Sequence, residues 1–144
     1  MPLDDTTALP APLVLDVPAP PIPEIALIDR AVGYIRDPKH WCKGDVSRVV
    51  RERVGLFRHR LVESVCAVGV LNQEAFGGAR VWPESWWRES TYMNVFYALR
   101  TGAEARGFCG NTSVAHFNDH PATTHADVLA LFAEARQRLL QERG

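Results

Sequence analysis

Apolar residues recur at three- and four-residue steps along most of this chain, the pattern of amphipathic helices. Ile25, Ile28, Val32 and Ile35 make the first stripe. Pro23 opens it as a favoured first-turn residue, Glu24 suits the helix dipole, and Asp37-Pro38 ends it. After a connector, His40 to Gly44, Asp45 is placed to cap a second helix whose face is Val46, Val49, Val50, Val54, Phe57 and Leu61. Val65 to about Phe76 is almost wholly apolar and small, which predicts a helix buried all round, with Gly69 permitting a close neighbour. Periodicity leaves a strand over Val65 to Leu71 as the alternative. Pro83 opens a fourth helix that offers Trp86, Tyr92, Val95, Phe96 and Leu99 to the core and ends at Gly102. Three glycines make residues 102 to 111 a loop. The last helix is the clearest: Thr124 and Asp127 resemble a capping box, and Val128, Leu131, Phe132, Ala135 and Leu139 form one stripe. No repeat is visible, and no alternation is long enough to predict a sheet. The fold class expected is therefore mainly α, a compact bundle of about four to five helices.

The N-terminus changes that picture. Seven of the ten prolines fall between Pro2 and Pro23. Proline lacks a backbone donor and pushes its predecessor toward extended geometry, so residues 1–22 read as a proline-rich extended tail and residues 23–144 as a single helical domain. Leu13, Val14, Leu15 and Val17 give the tail enough aliphatic character to lie as an arm on this domain or on a partner.

At 144 residues, 47% of them hydrophobic and 23% charged, the chain has the length and composition of one globular domain. A net charge of -1 supplies no overall attraction to nucleic acid or an anionic membrane. No run approaches the roughly 18 apolar residues of a membrane span, and the acidic start Asp4-Asp5 is unlike a secretory signal. Cys42, Cys66 and Cys109 are an odd, widely spaced set, more typical of reduced thiols than of a disulfide framework. A cytoplasmic protein is the expectation.

Three segments together carry a resemblance: Trp41-Cys42-Lys43-Gly44, Cys66-Ala67-Val68-Gly69-Val70-Leu71, and Phe117-Asn118-Asp119-His120-Pro121 continuing to Val128. In this order they resemble a family of small bacterial and phage proteins known only as a domain of unknown function, over about Ile25 to Leu139. The resemblance implies a compact shared fold and no activity. It also implies a looser turn between Gly44 and Cys66, where the residues themselves predict an arginine-rich helix.

Several constellations could carry chemistry. Cys66, His116 and Asn118 or Asp119 stand in the chain order of a thiol hydrolase or acyl transferase, with Cys66 as nucleophile, His116 as base and Asn118 or Asp119 orienting it. Against this, Val65 and Ala67 flank Cys66 as they would an inert core thiol. His116, His120 and His125 are spaced by four and five, but a tight pair of zinc ligands is missing and Pro121 makes a regular helix there doubtful, so no metal and no cofactor is expected. Asn118-Asp119-His120-Pro121 reads first as a turn orienting the last helix; alternatively its polar groups, with Trp41 and Lys43, line a ligand pocket. Arg48, Arg51, Arg53, Arg58 and Arg60 could grip phosphates as one helix face, although no nucleic-acid motif accompanies them. Trp82, Trp86 and Trp87 crowd six residues, and at least one must leave the core. Glycine-rich phosphate loops, nucleophile elbows and zinc-protease pairs are absent from the sequence. The reading ranked first is a small helical protein-interaction or regulatory module using the Trp82–Trp87 surface, ahead of the Cys66 enzyme and of nucleic-acid binding by the arginine segment.

Overall fold

A computed structural model describes residues 22–143, so the aliphatic arm expected in the proline-rich tail lies outside the described residues. Five helices form: α1 (Pro23–Ile35), α2 (Ala67–Phe76), α3 (Ser90–Ala105), α4 (Ser113–Asp119) and α5 (His125–Arg143). A two-stranded sheet, β1 (Ser47–Arg53) and β2 (His59–Val65), precedes α2, and short 3-10 turns occupy Pro38–His40 and Trp86–Arg88. The fold is mainly α, as the stripes predict.

The stripes of α1, α3 and α5 converge on one core with α2 and α4. Ile28, Ala31 and Ile35 of α1, Val95 and Leu99 of α3, and Val128, Leu131, Phe132 and Ala135 of α5 are fully buried. Large aliphatic and aromatic side chains buried this way contribute about 1.5–3 kcal/mol each. The capping box is reciprocal: Asp127 N–H donates to Thr124 Oγ1 at 3.1 Å, and Thr124 N–H donates to Asp127 Oδ2 at 2.9 Å. Gly102 does not end α3. Its absent Cβ would stand 2.7 Å from Leu131 Cδ1, so the glycine lets α3 and α5 approach, and the helix runs on to Ala105.

The helix expected over Val46 to Leu61 is an antiparallel hairpin. Ser47 pairs with Val65, Val50 with Val62 and Arg53 with His59, and Val54 N–H closes the loop on Arg58 O at 3.1 Å. Two features override the helical period: four valines that favour extended backbone, and Gly55 at the centre of the run, where the chain turns. The apolar positions that mimicked a buried stripe are largely in solvent, Phe57 at 88% exposure and Leu61 at 72%. The arginines are therefore not one helix face. Cross-strand partners share a side, so Arg48 and Arg60 lie on one face of the hairpin and Arg51 and Arg53 on the other, with Arg58 in the loop.

The helix expected from Pro83 begins only at Ser90. Trp86 N–H bonds Pro83 O at 3.0 Å in a tight turn, leaving Trp82, Trp86 and Trp87 outside α3. No apolar stripe predicts α4, which takes in Asn118 and Asp119 of the expected turn and stops there because Pro121 disfavours helical geometry in His120, extended at φ -63, ψ 135. No helix of the described residues is long and apolar enough to cross a membrane.

Candidate functional site

Asn118, fully buried on α4, joins the three sequence motifs. Its Oδ1 accepts from Trp41 Nε1 at 2.7 Å and from the Ala67 amide at 3.1 Å, while its Nδ2 donates to Cys42 O at 3.0 Å and to Asp119 Oδ1 at 2.9 Å. That set uses both donors and both lone pairs of one amide side chain. Asp119 Oδ1 also accepts from Gly44 N–H at 2.8 Å, and Lys43 Nζ donates to His120 O at 2.7 Å. The 41–44 segment is thus tied to the end of α4 and the turn before α5. Trp41 and Lys43 face each other as well, the ammonium 5.7 Å from the indole centroid.

Cys66 caps α2. Its Sγ accepts from the Gly69 amide at 3.2 Å, and the residue is 5% exposed. Burial pushes its thiol pKa up, against the pull of the Gly69 and Val68 amides, and the nearby Asp119 charge pushes the same way. Cys42 is raised to about 11, again chiefly by burial. These are protonated thiols at neutral pH, whereas a nucleophile needs its thiolate. His116 is exposed on α4, with Nδ1 3.5 Å from Thr112 Oγ1, and no hydrogen bond joins it to Cys66 among the described residues. Cys66 and Asp119 do meet, on the wall of one cavity that His116 does not line.

The other histidines have separate local duties. His125 Nε2 donates to Ile35 O at 2.6 Å and its ring leans on Trp41, while His120 Nδ1 accepts from the Ala122 amide at 3.1 Å. Among the described residues no three His, Cys, Asp or Glu side chains gather closely enough to hold a metal ion.

Two hollows flank the 41–46 segment. A cavity of about 510 Å³ lies between Cys66 on α2, the aromatic rings of Trp82, Trp86, Tyr92 and Phe96, and Asp119. A cleft of about 700 Å³ lies against the hairpin, with Lys39, Lys43, Arg48 and Glu52 among its lining residues. Glu52 receives Lys39 at 2.9 Å and Arg60 at 2.8 Å, and these hydrogen bonds hold its carboxyl near pKa 2.

The exposed apolar surface is concentrated, and Val50 and Trp82 of it also line the two hollows. Val49, Val50, Val54, Leu56, Phe57 and Leu61 of the hairpin and Val81, Trp82 and Trp87 of the following loop are all exposed. Arg80 ties that loop to the base of the hairpin through Asp45 at 2.6 Å, Ser47 Oγ at 3.1 Å and Ser47 O at 3.0 Å. The tryptophans belong to the expected interaction surface, although Trp86 is half-buried against Tyr92. Helical periodicity does not reveal the hairpin surface, because it places Val49, Val50, Val54, Phe57 and Leu61 on a core stripe. Val54-Gly55-Leu56-Phe57, a glycine inside an apolar run rich in β-branched residues, is the signal that could have found them.

Residues 19–138 match the family of unknown function DUF6197, and the chain belongs to that family. No curated protein and no solved structure matches it.

Proposed function

We propose that this member of the DUF6197 family is an interaction module that docks a protein partner through its β-hairpin and the Trp82–Trp87 loop. The observation that carries the reading is the distribution of exposed large hydrophobic residues. Among the described residues, eight of ten fall in these two segments, six on the hairpin and Trp82 and Trp87 on the loop; Val81 adjoins the loop and Tyr97 is the tenth. Single exposed hydrophobics are ordinary, whereas their concentration in one region marks an interaction surface.

Charge narrows the partner. Five arginines and only two acids, Glu52 and Glu63, lie between Ser47 and Val65, and Glu52 is already engaged by Lys39 and Arg60. A cationic hairpin on a chain of net charge -1 suits a partner with an apolar centre and an acidic rim. A second copy would set arginine against arginine. Nucleic acid would meet the arginines but leave Val49, Leu56 and Leu61 without matching surface. We read the encounter as cytoplasmic and as bacterial or phage in origin, on the thiol pattern and the resemblance carried by the three motifs.

The test is photo-crosslinking from the hairpin tip. With p-benzoylphenylalanine in place of Phe57 in the full chain, irradiation in the producing cells should give one discrete protein adduct through an acidic segment. A Leu61→Glu change should abolish that adduct. Crosslinks to nucleic acid, or adducts indifferent to Leu61→Glu, would overturn the reading.

A further inference from the structure

We propose that the cavity beside Cys66 is a binding site for an organic cation, a quaternary or alkyl-substituted ammonium group. This inference shares Trp82 with the docking reading but does not rest on it. The cavity's walls supply aromatic rings from Trp82, Trp86, Tyr92 and Phe96 and carboxylates from Asp45 and Asp119, and no Lys, Arg or His lines it. The rings stand in two orientations: Trp86 is edge-on to Tyr92 (6.0 Å between centroids, 86° between planes), while Tyr92 and Phe96 are nearly parallel (6.2 Å, 16°). Ring faces carry negative potential, and several of them around one space favour a cation with a diffuse, methylated surface over a strongly hydrated one. Tyr92 backs the wall, buried with its ring packed against Phe76 and Phe96 and its hydroxyl donating to Asn72 Oδ1 at 2.6 Å, so Trp82 and Trp86 supply the more open rings.

Of the two carboxylates, Asp45 is already paired with Arg80 at 2.6 Å. Asp119 accepts only N–H groups, from Gly44 and Asn118, and no cationic side chain pairs with it among the described residues. It is the free counter-charge of the site. The N-terminus of α2, at the same wall, has little to offer an anion. Its Ala67 amide is bonded to Asn118 at 3.1 Å and its Gly69 amide to Cys66 Sγ at 3.2 Å. A volume of about 510 Å³ accepts an ammonium group together with an apolar substituent.

Choline and its uncharged isostere 3,3-dimethylbutan-1-ol separate charge from shape. Titrated into the full chain and followed by tryptophan fluorescence and by indole N–H shifts, choline should bind saturably. The Trp82 and Trp86 signals should move, and the isostere should bind about tenfold more weakly. Asp119→Asn should weaken choline about tenfold and leave the isostere unchanged. Should that variant fail to fold, Trp82→Leu, at an exposed side chain, carries the same comparison: choline should lose more affinity than the isostere. Equal binding of choline and isostere, preference for the anion 3,3-dimethylbutanoate, or no saturable binding of choline overturns the proposal.

Discussion

Trp41 and Asn118 are 77 residues apart in the chain, yet the indole N–H of one donates to the side-chain oxygen of the other at 2.7 Å. The same oxygen holds the Ala67 amide, so one buried amide side chain fixes the start of α2, the 41–44 segment and the end of α4. Replacing it by alanine leaves the Trp41 Nε1, Ala67 N and Cys42 O groups without their partner. Each such loss costs about 1–3 kcal/mol when the group stays buried. Asn118→Ala should therefore destabilise the fold by about 3–5 kcal/mol in urea denaturation. A loss below about 1 kcal/mol would show that water replaces the network.

Gly69 sits in α2, where alanine is ordinarily better than glycine by about 1 kcal/mol. Here a Cβ would stand 2.3 Å from the backbone oxygen of Val46, which itself accepts the Cys66 amide at 3.1 Å. Backbone on both sides cannot yield cheaply, so the clash outweighs the propensity gain. Gly69→Ala should lower the thermal midpoint, and a raised midpoint would mean that the hairpin base moves freely from α2.

Native-state alkylation should sort the three thiols. Cys109 is exposed and should react promptly, whereas Cys42 and Cys66 are buried with raised pKa values and should be protected until unfolding. Because folding favours their neutral form, that contribution to stability is present below the unfolded thiol range and fades as pH rises through it, toward about 11 for Cys42. Fast labelling of Cys66 alone at neutral pH, read by mass spectrometry, would favour the thiol-enzyme reading.

Glu52 fastens the hairpin to the Pro38–His40 turn through Lys39. Its carboxyl is lowered from 4.5 to about 2, so the tie is complete above the ordinary carboxylate range and is lost as pH falls through about 2. An NMR titration of the Glu52 side-chain carbonyl should give a midpoint well below 4.5 in the native protein and near 4.5 in Lys39→Met/Arg60→Met. An unshifted midpoint in the native protein would show the two cations to be unpaired in solution.

The parts of this fold legible in the sequence are those where one physical cause acted alone. α5 could be read because its stripe is its core face, and α1 in part, because Ile28 and Ile35 of its stripe are buried while Ile25 and Val32 flank a face completed by Leu27 and Ala31; Thr124 and Asp127 could be read because capping is local chemistry. The hairpin is not legible by periodicity because Val49, Val50, Val54, Phe57 and Leu61 satisfy a helical period without being buried by it, so a pattern set by surface mimics one set by core. The motif Asn118-Asp119 was recognisable as specified structure, but its partners Trp41, Cys42, Gly44 and Ala67 are all distant in sequence. The chain order of Cys66 and His116 held no information about which of them would face Asp119.

The docking surface is tested most directly by asking whether Phe57 and Trp82 are covered in the cell. Hydroxyl-radical footprinting of the purified chain should oxidise both, together with Trp87, since all three are exposed. In the producing cells the account predicts that Phe57 and Trp82 become protected together, that nuclease treatment does not restore labelling, and that Leu61→Glu does. Equal labelling in the cell and in the purified protein would contradict it.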